Sequence, residues 1–175
     1  MNSEDLFAQA LEVRILSIIV NKVAMASLDQ RLQAHHAPVT VVQYEAMRLL
    51  SYHPFTISDL SRKMRVDPAT LVPVIDALER HGFAHRERDV HDRRRVPVAL
   101  TEAGVALLQQ IPVFEPTDAL FAALNAMGAD ASAQLLDLLR QLVRHMVGNQ
   151  DVLTEVQSNV QIAQAMFAQK HDTTE

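Results

Sequence analysis

Asp92 is followed by three consecutive arginines, Arg93, Arg94 and Arg95, in the stretch HDRRRVPVALTEAG that runs from residue 91 to residue 104. Like charges with nothing between them repel, so such a triplet requires water or an anion around it. It is therefore expected at the surface. The chemistry open to it is recognition of phosphate or carboxylate, because guanidinium presents a planar fork of donors that matches those groups. Upstream, Arg62, Lys63 and Arg65 form a second cationic group beside the turn signal RVDP.

The whole chain is acidic, with a net charge of -5 over 175 residues, yet its cations are concentrated. From Thr56 to Thr101 there are nine Lys/Arg against seven Asp/Glu, while the remainder carries seven against fourteen. Screening over roughly 8 to 10 Å makes the local field decisive, so a patch of this kind can attract phosphates on an acidic protein. A chain of this length can bury one real core and matches the prior for one or two globular domains. The longest apolar run near the N-terminus, ILSIIV, is bracketed by Arg14 and Lys22, so no membrane span and no membrane partner are expected. No signal peptide is recognised. The absence of cysteine removes disulfides, Cys-ligated zinc and thiol redox sensing, and fits a cytoplasmic location.

Catalytic signatures are lacking. There is no Gly-rich phosphate loop, no GxSxG and no Cys nucleophile, so no enzymatic activity, catalytic residue or cofactor is expected. None of the eight histidines forms HExxH, and the adjacent His35 and His36 would point apart on a helix, so no metal site is expected either. Met25, Met47, Met127, Met146 and Met166 read as core filler.

The elements that must hold the cations can be read from caps and breakers. Ser3 is expected to cap a long helix through EDLFAQALEVRILSIIVNKVAMASLDQRLQ, whose apolar face is too broad for a single partner. Pro38 ends it; Thr40 caps VVQYEAMRLLSYH, and Pro54 closes that helix. Thr56 caps ISDLSRKM, and Asp67 with Pro68 at the first helical position starts PATLVPVIDALERH, which ends at Gly82. FAHRER and RVPVAL, joined by DVHDRR, read as a two-stranded hairpin with a charged tip, Pro97 suggesting an edge strand. Thr101 caps the next helix. After breaks at Pro112 and Pro116, TDALFAALNAM ends at Gly128, and two further amphipathic helices follow, capped by Asp130 and Asp151.

The order is that of a mainly α protein with a small β-hairpin wing: a winged helix-turn-helix flanked by helical dimerisation arms. In such a unit the second helix of the pair enters the DNA major groove and its N-terminal residues reach base edges. Arginines at a wing suit a narrow minor groove, whose negative potential is enhanced.

The segment SDLSRKMRVDPATLVPVIDALERHGFAHRERDVHDRRRVPVALTEAG resembles the DNA-binding lobe of the MarR family of transcriptional regulators, most specifically at Asp92, Arg93, Arg94 and VALTEAG. The resemblance covers roughly residues 40 to 111 by motif. It implies a homodimer that binds a pseudo-palindromic double-stranded DNA operator, as a repressor that a small aromatic or anionic effector releases. By matching position, Arg94 enters the minor groove, Asp92 orients a wing arginine, and Ser58, Ala69 and Thr70 contact DNA. With Arg62, Lys63, Arg65, Arg93 and Arg95 these make up the expected DNA-binding set. The expected organisation is an N-terminal dimerisation helix over 1–38, the DNA-binding lobe over 39–111, C-terminal dimerisation helices over 112–170 and a disordered tail over 171–175. Val72 and Pro73 depart from the family's usual polar and then basic residues; a thymine methyl is the most Val72 is expected to touch, leaving more of the selectivity to the wing and to DNA shape. The competing reading is a winged-helix module that turns its charged wing to an acidic protein partner and never reads DNA.

Overall fold

A computed structural model describes residues 2–87, 95–148, 152–154, 156–161 and 164. The described chain divides into two compact units, Met1–Pro112 and Val113–Glu175.

In the first unit, α1 (Ser3–Ala34) leads to α2 (Val41–Leu50), α3 (Ile57–Met64) and α4 (Pro68–Arg80), then to strands β1 (Ala84–Arg86) and β2 (Val98–Leu100), then to α5 (Glu102–Gln110). The helix starts at Thr40, Thr56, Asp67 and Thr101 form as their side chains dictate. Each supplies an oxygen to a backbone N–H two or three residues on, satisfying a donor that the helix itself cannot. Thr40 and Gln43 complete a reciprocal capping box, the Gln43 side chain accepting from the Thr40 N–H at 2.8 Å. At the first helix the cap is Asn2 rather than Ser3; its side chain accepts from the Glu4 N–H, so the helix begins one residue earlier than its sequence suggests. His35 and His36 are not on a helix. His35 is the C-cap of α1 and His36 adopts a left-handed φ of 51°, which turns the chain toward Pro38.

The core of this unit gathers around α2, which touches α1, α3, α4, α5 and β2. Leu32, Met47, Leu60, Leu71, Ile75 and Leu78 are almost wholly buried there. Each such side chain contributes about 1.5–3 kcal/mol relative to exposure, which is why α4 is held by one face only. Its buried residues Leu71, Ile75 and Leu78 recur at helical spacing, and the opposite face stays outward.

β1 and β2 are antiparallel, with Ala84 opposite Leu100 and Arg86 opposite Val98. On its other side β2 is met by Phe55, which exchanges backbone hydrogen bonds with Val98 at 3.1 and 2.8 Å. Pro97 sits one residue before β2, so its missing N–H removes no ladder bond and β2 is not a bare edge. The wing tip expected from DVHDRR lies outside the described residues.

The second unit contains α6 (Ala119–Met127) and α7 (Ala129–Val147), joined at Gly128, whose φ of 79° suits a residue without Cβ. The Ser132 hydroxyl donates to the Leu124 carbonyl at 2.8 Å and ties the two together. Asp130 does not cap α7. Gly128 holds that position, and Asp130 stands in the first turn, where its charge meets the positive end of the helix dipole. Residues 152–154, 156–161 and 164 are helical, while Asp151 lies outside the described residues. Met47 is core as its type suggests, but Met127 and Met146 are exposed, because α6 and α7 leave their apolar sides uncovered, and Met166 lies outside the described residues. No helix among the described residues is long and apolar enough to cross a membrane.

Candidate nucleic-acid interface

The turn between α3 and α4 is three residues long, and its geometry follows from two side chains. Arg65 takes a left-handed conformation (φ 55°, ψ 40°), its N–H bonding to the Ser61 carbonyl. Ser61 is buried and its hydroxyl donates to the Val66 carbonyl at 2.6 Å, while the Val66 N–H returns to the Ser61 carbonyl at 3.2 Å. This reciprocal pair sets the chain reversal, and Asp67 then opens α4 by accepting from the Ala69 N–H at 2.7 Å. Ala69 and Thr70 are thereby placed, exposed, in the first turn of α4.

Around this turn the cations face solvent. Arg62 has a side chain 78% exposed, and its guanidinium meets Asp59 at 2.7 Å. The Lys63 ammonium stands 5.1 Å from the centre of the Phe55 ring, a cation–π position that steadies it without neutralising it. Arg65 is exposed at the turn itself. Arg95, at the base of the wing, is 59% exposed and approaches Asp59 at 3.9 Å.

Asp59 is the residue that sequence reasoning missed. It occupies the third position of α3 after the Thr56 cap, and accepts from the Thr56 hydroxyl at 2.7 Å. That hydrogen bond is the largest influence holding its carboxyl below the ordinary aspartate range; partial burial works against it, and the charges of Arg62 and Arg95 add to the lowering. Asp59 therefore remains an anion and gathers one arginine from α3 and one from the wing base. The pattern Thr-x-x-Asp is a capping signal visible in the sequence, but its second use, toward Arg95, depends on the fold.

Arg86 was also missed as a positioning group. From β1 it donates to Asp76 at 2.7 Å and to Glu79, both on α4, and its backbone N–H donates to Glu79 Oε1 at 2.8 Å. The strand is thus fastened to the back half of α4. A shallow groove of about 510 Å3 lies alongside, lined by Thr56, Ile57, Ser58, Asp59, Arg86, Arg95 and Val96. Its lining carries the Asp59 carboxylate beside the guanidiniums of Arg86 and Arg95, so both signs of charge meet in the groove. Ser58 is exposed at its rim, in the first turn of α3.

Arg62, Lys63, Arg65, Ser58, Ala69, Thr70 and Arg95 therefore share the α3–turn–α4 and wing-base region. Asp92, Arg93 and Arg94 lie outside the described residues. Among the described residues, no group of three or more His, Cys, Asp or Glu side chains is arranged to hold a metal ion.

Two helices set at a three-residue turn, followed by a hairpin that packs on the second of them, define a winged helix-turn-helix protein. The MarR family profile matches residues 39–96, the lobe that carries these features. The HTH-type transcriptional repressor NicR of Pseudomonas putida is 30% identical over 113 residues, spanning 63% of this chain and 70% of that protein. The organic hydroperoxide resistance transcriptional regulator of Bacillus subtilis is 33% identical over 73 residues, and the match spans 41% of this chain and half of that protein's length. Among solved structures, a mutant MarR from E. coli complexed with operator DNA is similar with a TM-score of 0.67 at 25% identity, over 78% of this chain and 97% of that one. The chain belongs to the MarR family of transcriptional regulators.

Proposed function

We propose that the chain is a sequence-specific, double-stranded DNA-binding transcriptional repressor that works as a homodimer. The observation that carries this reading is the outward face of α4, exposed by one-sided burial, in a lobe whose neighbouring α3 and turn carry exposed Arg62, Lys63 and Arg65 and whose wing-base Arg95 approaches Asp59 of α3. A helix exposed on one face, in a lobe that carries such cations, suits a major groove lined by phosphates. The similar E. coli structure holds operator DNA, and the P. putida relative is named a repressor, which supports the same use here.

In this mechanism Ser58, Arg62, Lys63 and Arg65 meet the phosphate backbone and fix register, Ala69 and Thr70 stand at base edges, and the wing arginines Arg93, Arg94 and Arg95 follow the neighbouring minor groove, with Asp92 orienting one of them. Asp59 holds Arg62 and Arg95 in a common orientation before DNA arrives, which lowers the ordering cost of binding. The N-terminal helix, residues 1–38, and the C-terminal helices, residues 112–170, join two copies. Their two α4 helices then engage a pseudo-palindromic operator when they stand about one DNA turn apart, ~34–36 Å. A small aromatic or anionic effector releases the operator by favouring a different separation of the two heads.

The test is a salt series on duplex binding by the full chain. The logarithm of the association constant should fall linearly with the logarithm of salt concentration, with a slope of about 0.9 for each phosphate neutralised. Arg94→Ala should weaken binding and reduce that slope by about 1. A variant that binds as tightly as the parent at every salt concentration removes the wing from the mechanism.

A further inference from the structure

The outward face of α4 has an unusual chemistry for a helix that reads DNA. From Pro68 to Val74 it contains no charged residue and no side-chain amide. Helical spacing brings Ala69, Val72 and Pro73 together on the exposed side, with Thr70 at its flank and Val72 41% exposed. The first charged group on this face is Asp76, and its carboxylate is tied to Arg86 at 2.7 Å. Arg80 enters only in the last turn. Arg or Lys pairs with guanine and Asn or Gln with adenine in the major groove; both kinds of donor are missing from the turns nearest the bases. What these turns do offer is a continuous patch of methyls and a pyrrolidine ring, on side chains short enough for close approach.

The geometry points to a methyl reader: α4 recognises the C5-methyl group of the major-groove edge, the methyl of thymine, through Ala69, Val72 and Pro73. That methyl is the apolar feature among the base edges of the groove, and apolar side chains are its matching partners. Base selection thus returns to α4, through shape and apolar contact, where the sequence by itself leaves it to the wing and to DNA deformation. Pro73 belongs to this surface as a fixed apolar ring, and α4 remains one continuous helix through it. Arg86 contributes indirectly, since by engaging Asp76 and Glu79 it offsets the negative charge that α4 would otherwise turn toward phosphates. This inference rests on the DNA-binding reading above and specifies what that binding selects.

The experiment selects duplexes from a random pool with the purified full-length chain. Each thymine of the selected half-sites is then replaced by deoxyuridine, which removes the methyl and leaves the hydrogen-bonding edge intact. At one or more positions per half-site the replacement should weaken binding roughly fourfold, the scale of one buried methyl, and about fifteenfold when both half-sites are changed. At those positions 5-methylcytosine paired with guanine should bind more tightly than unmethylated cytosine. Val72→Ala should flatten the deoxyuridine penalty while leaving the salt slope unchanged. Selected half-sites without thymine, or deoxyuridine duplexes that all bind within twofold of the parent, overturn the inference and leave the DNA-binding reading standing. A pool from which no duplex is enriched overturns both.

Discussion

Gly104 shows how little freedom the lobe leaves at single positions. A Cβ added there would stand 2.1 Å from the Phe83 carbonyl oxygen. That carbonyl cannot easily retreat, because it accepts from the Thr101 N–H at 3.1 Å, and the Thr101 hydroxyl in turn donates to the Gly82 carbonyl at 2.6 Å. The same hydroxyl caps Gly104 at 3.1 Å. Thr and Gly in TEAG thus form one device that seats α5 against the start of the hairpin. Gly104→Ala should cost about 1–3 kcal/mol, as overpacking does, and Thr101→Ala about 1 kcal/mol, both read from urea melts. Glu45, on α2, behaves differently: burial raises its carboxyl pKa, because the charged form is desolvated. The folded state then binds the proton more tightly than the unfolded chain. Its stabilising contribution is complete below the ordinary glutamate range near about 4.3 and is lost as pH rises through the raised folded value. Glu45→Gln should therefore raise the melting temperature at pH 7, with the gain vanishing as the pH is brought below about 4. A gain that persists unchanged in acid would sink this account. The caps at Thr40, Thr56, Asp67 and Thr101 were legible because each bond spans two or three residues. Asn2 displacing Ser3 and Gly128 displacing Asp130 were not, since neighbouring cap-forming residues compete and local chemistry alone does not choose between them.

At the scale of elements, the α3–α4 turn is where stability and the proposed binding meet. Arg65 occupies a left-handed conformation that costs an ordinary residue roughly 1–2 kcal/mol and costs glycine almost nothing. Arg65→Gly should stabilise the lobe by about 0.5–1 kcal/mol, after allowing for the greater freedom of glycine in the unfolded chain. In the same variant the salt slope of DNA binding should fall by about 1, the loss of one phosphate contact. A more stable protein with an unchanged slope would assign Arg65 to the turn alone. The helix-turn-helix was legible because Thr56, Asp67-Pro68 and Gly82 punctuate it at the right intervals. What joins its parts was not. Asp59 and Arg95 meet across 36 positions of sequence, and Arg86 reaches Asp76 and Glu79 only because the hairpin packs on α4. No periodicity encodes such pairs, since they depend on where separate elements land.

For the whole molecule, the notable quantity is uncovered apolar surface. Residues 2 to 23 are all exposed, among them Leu6, Leu16, Ile18 and Ile19, with Phe7 71% exposed. In the second unit Leu136, Leu138 and Leu139 are exposed as well. In each unit, taken by itself, exposed apolar side chains of this number mark a site for a partner, and a second copy of the chain is the partner that the proposed function requires. Sedimentation at micromolar concentration should give twice the 19.5 kDa chain mass, and the melting temperature should rise with protein concentration. Leu16→Glu with Ile19→Glu should shift the protein to single chains and abolish tight binding to a two-half-site duplex. A parent that sediments as a single chain throughout would remove the paired-head mechanism.

From the sequence alone came the order of the elements, their caps and the clustering of cations on an acidic chain, because these depend on residues close together along the backbone and on composition. The three-dimensional structure decided which face of α4 is buried, which arginines converge on Asp59 and how Arg86 fastens the hairpin. Those outcomes arise from packing between distant segments, where burying Leu71, Ile75 and Leu78 on one side leaves Ala69, Val72 and Pro73 on the other.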